Sequence, residues 1–279
     1  MLKDVTVVIP TIGEKKIFRT VYLLNNVNYL RPAWIIISVH FSRYNKVKLL
    51  KKLYNNIMII KTTKKSQVLQ RIKGFQKCKT KFALQLDADC FIKSKDVLIL
   101  KKQLIKLGLK SSIAPVFLDI LTDKSLHQLK LNIFNNIKDK ILGFKPGINK
   151  MGQVASSCLN FGVDKNFMST DILKTKWLAG GCILHYRFNL IKRNYYPFSG
   201  KAYCEDLIHS KILINNKISL YVTRLSICRA DMPIFPKKPK EIYKFLVAFN
   251  YLQKYYTNYS RVKFFLAEIF YKKRLLFSK

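Results

Sequence analysis

Acidic residues are scarce in this chain. Fifteen Asp and Glu stand against 52 Lys and Arg, a formal net charge of +37 over 279 residues. An excess of that size favours anionic partners, whether nucleic acid, an anionic membrane surface, or nucleotides and phosphorylated lipids. It does not choose among them, because a Lys-rich chain that is also rich in Ile and Asn is what AT-biased coding produces with no ligand at all. Long apolar runs are missing too: no segment approaches the roughly 18 uninterrupted apolar residues that span a bilayer. Met1-Leu2-Lys3-Asp4 leads straight into a strand-like segment without the apolar core of a signal peptide, so a cytoplasmic location is expected, compatible with peripheral contact on the inner membrane face. The six cysteines, Cys78, Cys90, Cys158, Cys182, Cys204 and Cys228, form no C-x-x-C pair and none of the clustered spacing of a zinc site, which points to reduced thiols. No Gly-rich phosphate loop of the P-loop type is present. What the chain does have is apolar content, 49%, and at this length that supports a large packed core rather than disorder.

That content is patterned. Val5 to Ile9, Trp34 to Val39, Ile57 to Ile60 and Phe82 to Leu86 are short, apolar and rich in branched or aromatic residues, the signature of buried strands. Helix-compatible spacing fills 15–30, 45–55, 65–77 and 94–107, and strand–helix alternation of this kind predicts a parallel sheet with helices on its faces. Ligands bind such sheets beyond the carboxyl ends of the strands. Pro10 to Glu14, His40 to Ser42 and Asp87-Ala88-Asp89 all fall there. Further on, 113–118 reads as a strand, 124–142 as helical, 143–170 as a long irregular connection, 177–184 as a strand broken by Gly180-Gly181, and 207–215 as a helix opened by Glu205-Asp206, with 218–222 extended.

Asp87 and Asp89 put two carboxylates at the mouth of the Phe82–Leu86 strand. Buried there they would need water, a partner or a cation to offset desolvation. Oxygen donors one residue apart suit a hard divalent ion, Mg²⁺ or Mn²⁺, which completes its shell with water and phosphate oxygens. The expected guest is a metal-bound diphosphate.

Taken in order, Val5-Thr6-Val7-Val8-Ile9-Pro10-Thr11, Gln70-Arg71 with Gly74, Phe82 through Asp89, Gly180-Gly181-Cys182 and Glu205-Asp206 resemble the signature of family 2 glycosyltransferases across residues 5 to about 230. The resemblance implies an α/β, Rossmann-like, nucleotide-sugar-binding GT-A fold with a mainly parallel central sheet, and inversion at the anomeric carbon. It implies that Pro10, Thr11 and Glu14 line the nucleoside pocket, that Arg71 faces the donor, and that Asp89 is the main metal ligand, with Asp87 at the ribose or metal shell. Asp206 would be the general base and Glu205 would orient the acceptor or its partner carboxylate. Gly180, Gly181 and Trp177 are read as acceptor-side residues, with Trp177 a stacking platform or a core residue. One departure is plain: members usually place an acid after the second strand, and this chain has Ser38-Val39-His40-Phe41-Ser42-Arg43. A UDP-sugar is still the favoured donor, held by Glu14 and backbone groups. The acceptor is expected to be a glycan or a lipid-linked one, in bacterial surface polysaccharide or lipopolysaccharide synthesis.

The organisation expected is a domain over 1–236, with a nucleotide-binding half at 1–110 and an acceptor-binding half at 111–236, followed by a basic aromatic tail at 237–279. That tail carries eleven Lys or Arg and two Glu. Ile242, Phe245, Leu246, Phe249, Leu252 and Tyr256 form one stripe at helical spacing, and Val262, Phe265, Leu266 and Ile269 another. Each either packs on the core or lies on an anionic membrane. His185 and His209 either face the acceptor or are structural. Two other classes compete: a nucleic-acid-binding protein on a nucleotide-fold core, supported by charge and aromatics but with no recognisable binding motif, and a nucleotidyltransferase using the same metal–carboxylate logic. Release of pyrophosphate instead of a nucleoside diphosphate separates the latter.

Overall fold

The computed structural model describes residues 1–231, 236 and 238–277. In chain order the elements are β1 (Val5–Thr11), α1 (Lys16–Asn25), β2 (Trp34–His40), α2 (Lys48–Leu53), β3 (Ile57–Thr62), α3 (Gln67–Lys77), β4 (Phe82–Leu86), β5 (Phe91–Ile92), α4 (Ser94–Leu107), β6 (Ser111–Asp119), α5 (Ile133–Ile141), β7 (Ile172–Thr175), β8 (Cys182–Tyr186), α6 (Glu205–Asn215), β9 (Ser219–Ala230), α7 (Pro239–Tyr251) and α8 (Arg261–Phe277). The strands share one mixed sheet in the order β3-β2-β1-β4-β8-β6-β9-β5, with β7 paired to β9.

The first half is the parallel sheet that the alternation predicts. β1 pairs in parallel with β2 and β4, and β2 with β3. Every residue of β1 and β4 is buried, as continuous apolar strands covered on both faces must be. Helix α3 lies close on this sheet because Gly74 has no side chain: a Cβ there would sit 2.3 Å from Val8 Cγ1.

The second half departs from simple parallel order. β8 runs antiparallel to β4, with Phe82 opposite Tyr186 and Leu86 opposite Cys182. That reversal carries Gly180-Gly181 to the carboxyl end of β4, where the Asp87 N–H donates to the Gly181 carbonyl at 2.8 Å. The expected strand over 177–184 therefore begins only at Cys182, and the expected helix over 124–142 is confined to α5. β9 reaches Ala230, with a register shift against β6 between Pro115 and Val116. The tail's first stripe packs inward. Phe245, Phe249 and Leu252 belong to the same apolar cluster as Trp177, Leu207, Ile208 and Leu213. Tyr255 and Tyr256 add hydroxyl bonds to the carbonyls of Tyr195 and Leu207, both at 3.0 Å.

Candidate active site

The carboxyl ends of the parallel strands open on a crevice of about 490 Å³ whose lining includes Pro10, Thr11, Glu14, Asp87 and Asp89. One wall is the turn after β1. The Thr11 hydroxyl donates to Glu14 Oε2 at 2.8 Å and the Ile12 N–H to the same oxygen at 3.1 Å. Gly13, at φ +81°, sits in the left-handed region that this turn requires, and its N–H donates to Thr11 Oγ1 at 2.9 Å. Gln70 Nε2 anchors the turn from α3 by donating to the Thr11 carbonyl at 3.2 Å. The lining also includes His40, Arg43, Lys65 and Lys201. Where an acid was missing from the sequence after β2, the structure thus offers cations and an imidazole. His40 is held there by Ser42 Oγ at 2.8 Å and the Thr63 carbonyl at 3.1 Å.

The two aspartates of the Asp87–Asp89 turn have different surroundings. Asp87 is mostly covered: its Oδ1 accepts from Arg71 Nη2 at 3.0 Å and its Oδ2 from Gln67 Nε2 at 3.2 Å. Burial, with the negative charges of Asp89 and Glu205 adding to it against Arg71, pushes its pKa up to about 6. Asp89 is exposed and makes no hydrogen bond or ion pair with the described residues. No group of three or more His, Cys, Asp or Glu side chains able to hold a metal exists among the described residues. The donor set still fits a hard divalent ion of the kind that takes one or two carboxylates and fills its shell with phosphate and water oxygens. Of the two, Asp89 has its oxygens unengaged by the described residues, and those of Asp87 are taken by Arg71 and Gln67.

Arg71 corrects the expectation that it faces the donor. It is 1% exposed, and its guanidinium is engaged from two sides, by Asp87 through Nη2 and by Glu205 Oε1 through Nη1. Burial works to lower its pKa, but the two carboxylates outweigh that and raise it above the ordinary guanidinium value. Nor is Glu205 free to orient an acceptor. Its second oxygen accepts from the Tyr195 hydroxyl at 2.8 Å, and the side chain is buried. Arg71 and Glu205 form a strut that ties the mouth of β4 to the start of α6.

Asp206 is the acid left available. It is half-buried in the first turn of α6, with Oδ1 accepting the N–H of Leu207 at 3.0 Å. Burial first, and then the neighbouring Glu205 charge, raise its pKa to about 7. Cys204, immediately before the helix, holds φ +56°, a strained value for a residue with a side chain and of a kind that clusters at functional sites. Gly180 is glycine because a Cβ would fall 2.9 Å from Glu205 Oε1 and 3.3 Å from Asp206 Cβ, and one on Gly181 would lie 2.7 Å from Cys90 Sγ. The Gly180-Gly181 backbone is thus clasped between the two acid pairs.

Other residues singled out in the sequence lie elsewhere. Trp177 is buried and gives its indole N–H to the Phe161 carbonyl at 3.0 Å. Its ring meets His127 edge-on, 5.9 Å between centroids, so it is a core residue rather than a stacking platform. His185 and His209 are fully enclosed and perpendicular to each other at 5.5 Å. Burial drops the pKa of His185 well below the usual range and that of His209 to about 3. Both are therefore neutral framework residues. Sequence reading missed Gln67, which bonds Asp87 and also accepts the Ala202 N–H at 3.3 Å. It also missed Tyr195, Lys65 and the Gly200–Lys201 loop, which is pinned to α3 by Gln67 N–H to the Gly200 carbonyl at 3.2 Å. Ser66, whose hydroxyl caps α3, is a legible start signal that could have flagged Gln67. Nothing in Asn194-Tyr195-Tyr196-Pro197 singles out Tyr195.

No family model matches the chain, and no curated protein matches it by sequence. Solved structures do. GalNAc-T7, determined with UDP, GalNAc and Mn²⁺, superposes with a TM-score of 0.58 at 18% identity, over 87% of this chain and 48% of that one. The mannosyltransferase PcManGT from Pyrobaculum calidifontis, in complex with GDP-Man and Mn²⁺, gives 0.55 at 11% identity, over 99% of this chain and 70% of that one. The chain spans about half the length of the first of these proteins. At these identities the likeness is one of architecture, and the architecture is the GT-A glycosyltransferase fold.

Proposed function

We propose that the protein is an inverting, metal-dependent glycosyltransferase of the family 2 type. It would move a sugar from a nucleotide-sugar donor, a UDP-sugar in the first instance, to a glycan or lipid-linked acceptor in bacterial surface polysaccharide or lipopolysaccharide synthesis. One observation carries the reading. A single buried guanidinium joins Asp87, on the lining of the nucleotide-sized crevice, to Glu205, next to the available Asp206. Donor and acceptor carboxylates are thereby held in one rigid frame. The solved neighbours that share the fold were determined with Mn²⁺ and a nucleotide or nucleotide sugar, which supports the donor class.

In this reading Asp89, with Asp87 behind it, would hold the cation. Bound there, a divalent ion would neutralise charge building on the leaving diphosphate. The Thr11–Glu14 turn binds the nucleoside, and Lys65 and Lys201, which also line the crevice, face the donor's negative charge. Asp206 accepts the proton of the acceptor hydroxyl, a poor nucleophile until a base takes it. Attack by an acceptor so activated, on the face opposite the leaving group, inverts the anomeric carbon.

The test is transfer or donor hydrolysis by Asp89→Ala and Asp206→Asn with Mn²⁺ supplied. Loss of turnover in both is expected, with nucleotide binding kept in Asp206→Asn. Turnover like the wild type in either removes that residue from its role, and pyrophosphate as product replaces the reading with nucleotidyl transfer.

A further inference from the structure

We propose that the outward faces of α5 and α8 form a docking surface for an anionic lipid bilayer. The sequence pattern placed membrane contact somewhere in 237–279, but the structure separates that tail into two parts. α7 spends its apolar side on the core, with Phe245 and Phe249 buried, whereas the stripe on α8 is turned out: Val262 is 70% exposed, Phe265 60%, Leu266 38% and Ile269 45%. α8 is held to the body from its other side, through buried Phe264 and Ala267.

A second helix, far away in sequence, does the same. On α5, Ile133 is 69% exposed, Phe134 81%, and Ile137 and Ile141 52% each. At 3.6 residues per turn these four fall within an arc of about 100°, as do the four on α8. The turn that follows α5 lies against the first turn of α8, because a Cβ on Gly143, two residues beyond α5, would lie 3.1 Å from Lys263 Cδ. The Ser260 N–H also bonds the Ser156 carbonyl at 2.7 Å, while the Ser156 N–H reaches the Gly143 carbonyl. Large apolar side chains seldom gather on a monomer's surface without a partner.

Charge names the partner. Around α5 the exposed ionised side chains are Lys130, Lys138, Lys140 and Lys145. The one acid in that stretch, Asp139, is turned inward to a buried ion pair with Lys150 at 2.6 Å. Lys138 and Lys140 fall on opposite flanks of the α5 arc. On α8, Arg261 and Lys272 flank one side and Lys263 the other, and Glu268 is paired with Lys272 at 2.9 Å. Apolar stripes rimmed by cations fit the headgroup layer, with side chains reaching the acyl boundary and lysines meeting lipid phosphates. No helix among the described residues is long and apolar enough to cross a membrane, so the contact is interfacial. The surface belongs to the half that carries α6, since Phe264 stacks on Phe249 of α7 at 4.7 Å. In that one respect the inference rests on the proposed function and sharpens it, towards a lipid-linked acceptor. Vesicle binding itself needs no substrate.

The test is cosedimentation of the full chain with vesicles of phosphatidylcholine containing roughly a third phosphatidylglycerol, and with phosphatidylcholine alone. The wild type is expected to bind the anionic vesicles, and less so as salt rises. Phe134→Ser/Ile137→Ser combined with Phe265→Ser/Ile269→Ser should weaken binding about tenfold or more with an unchanged melting temperature, since these residues are exposed. Lys138→Gln/Lys140→Gln/Lys145→Gln should flatten the salt dependence. Undiminished binding by the serine variant, or no binding by the wild type, overturns the proposal. A wild-type dimer in sedimentation velocity that the serine variant abolishes also overturns it, by assigning the face to a second copy of this chain. Nucleotide-dependent thermal stabilisation of the serine variant keeps failure here separate from failure of the transferase reading.

Discussion

A carboxylate serves as a base only if its lone pairs are free, and the acids that line the crevice, with the pair that opens α6, divide on that criterion. Asp87 and Glu205 are held by Arg71, Gln67 and Tyr195, Glu14 by the turn it closes, and only Asp206 and Asp89 are left with oxygens to offer. With its pKa near 7, Asp206 should impose a rising limb on kcat/KM that levels off above neutral pH, and Asp206→Asn should lower turnover by two orders of magnitude or more. A pH–rate profile already flat from 5 to 9 would deny it the role. The same shift has a stability consequence. An unfolded aspartate loses its proton near 3.8, the folded one near 7, so the folded state binds more protons between those values and stability attributable to Asp206 falls as pH rises through them. Asp206→Asn should therefore melt higher than the wild type at pH 8, by on the order of 1 kcal/mol given partial exposure, and no higher at pH 4. Removing Arg71 acts in the opposite direction. Arg71→Met strands two carboxylates at once and is expected to cost about 3–5 kcal/mol in denaturant unfolding. A loss under 1 kcal/mol would show that the strut is not under the tension of buried charge.

At the scale of elements, glycines mark where backbones or carboxylates come too close for a side chain. Gly74→Ala drives a methyl into Val8 between α3 and β1 and should cost about 1–3 kcal/mol as overpacking. Gly180→Ala presses on Glu205 and Asp206 instead. Its expected signature is a fall in kcat of tenfold or more, with a smaller change in melting temperature than Gly74→Ala. The reverse order would place Gly180 in the core rather than the site. These elements also show what was legible in the sequence. β1, β2 and β4 were readable because strands buried on both faces are continuous apolar runs, the half-exposed edge strand β3 because Ile57 to Ile60 is still apolar and branched, and Phe82–Leu86 coincides with β4. Strand direction leaves no such trace: nothing in Cys182-Ile183-Leu184 says that β8 runs antiparallel, although that reversal sets Gly180 beside Glu205. The two-residue β5 and the short β7 are below the length at which a pattern can be seen. Among site residues, the acids announced themselves by standing at strand and helix ends. The role of Arg71 did not, because its partner Glu205 is 134 residues away, and a charged side chain on an amphipathic helix reads as solvent-facing until its burial is known.

In the whole molecule the aromatic tail is part of what holds the acceptor side together. Phe249 lies in the same apolar cluster as Ile208, and Tyr256 bonds the carbonyl next to Asp206. Deleting 239–277 should therefore abolish cooperative unfolding or lower its midpoint by well over 10 °C, as loss of several buried aromatics implies. A stable, well-folded truncation would make the tail a separate appendage. The claim on which everything else rests is that the crevice binds a metal-complexed nucleoside diphosphate through Asp89. The decisive observation is the melting temperature with UDP and its sugar conjugates, with and without Mn²⁺, in the wild type and Asp89→Ala. At a ligand concentration near 100 Kd the wild type should gain about 5 °C with nucleotide and Mn²⁺ together, and Asp89→Ala should gain little. An equal shift in the variant, or one indifferent to Mn²⁺, would leave the crevice without its metal and the aspartates without their assigned chemistry.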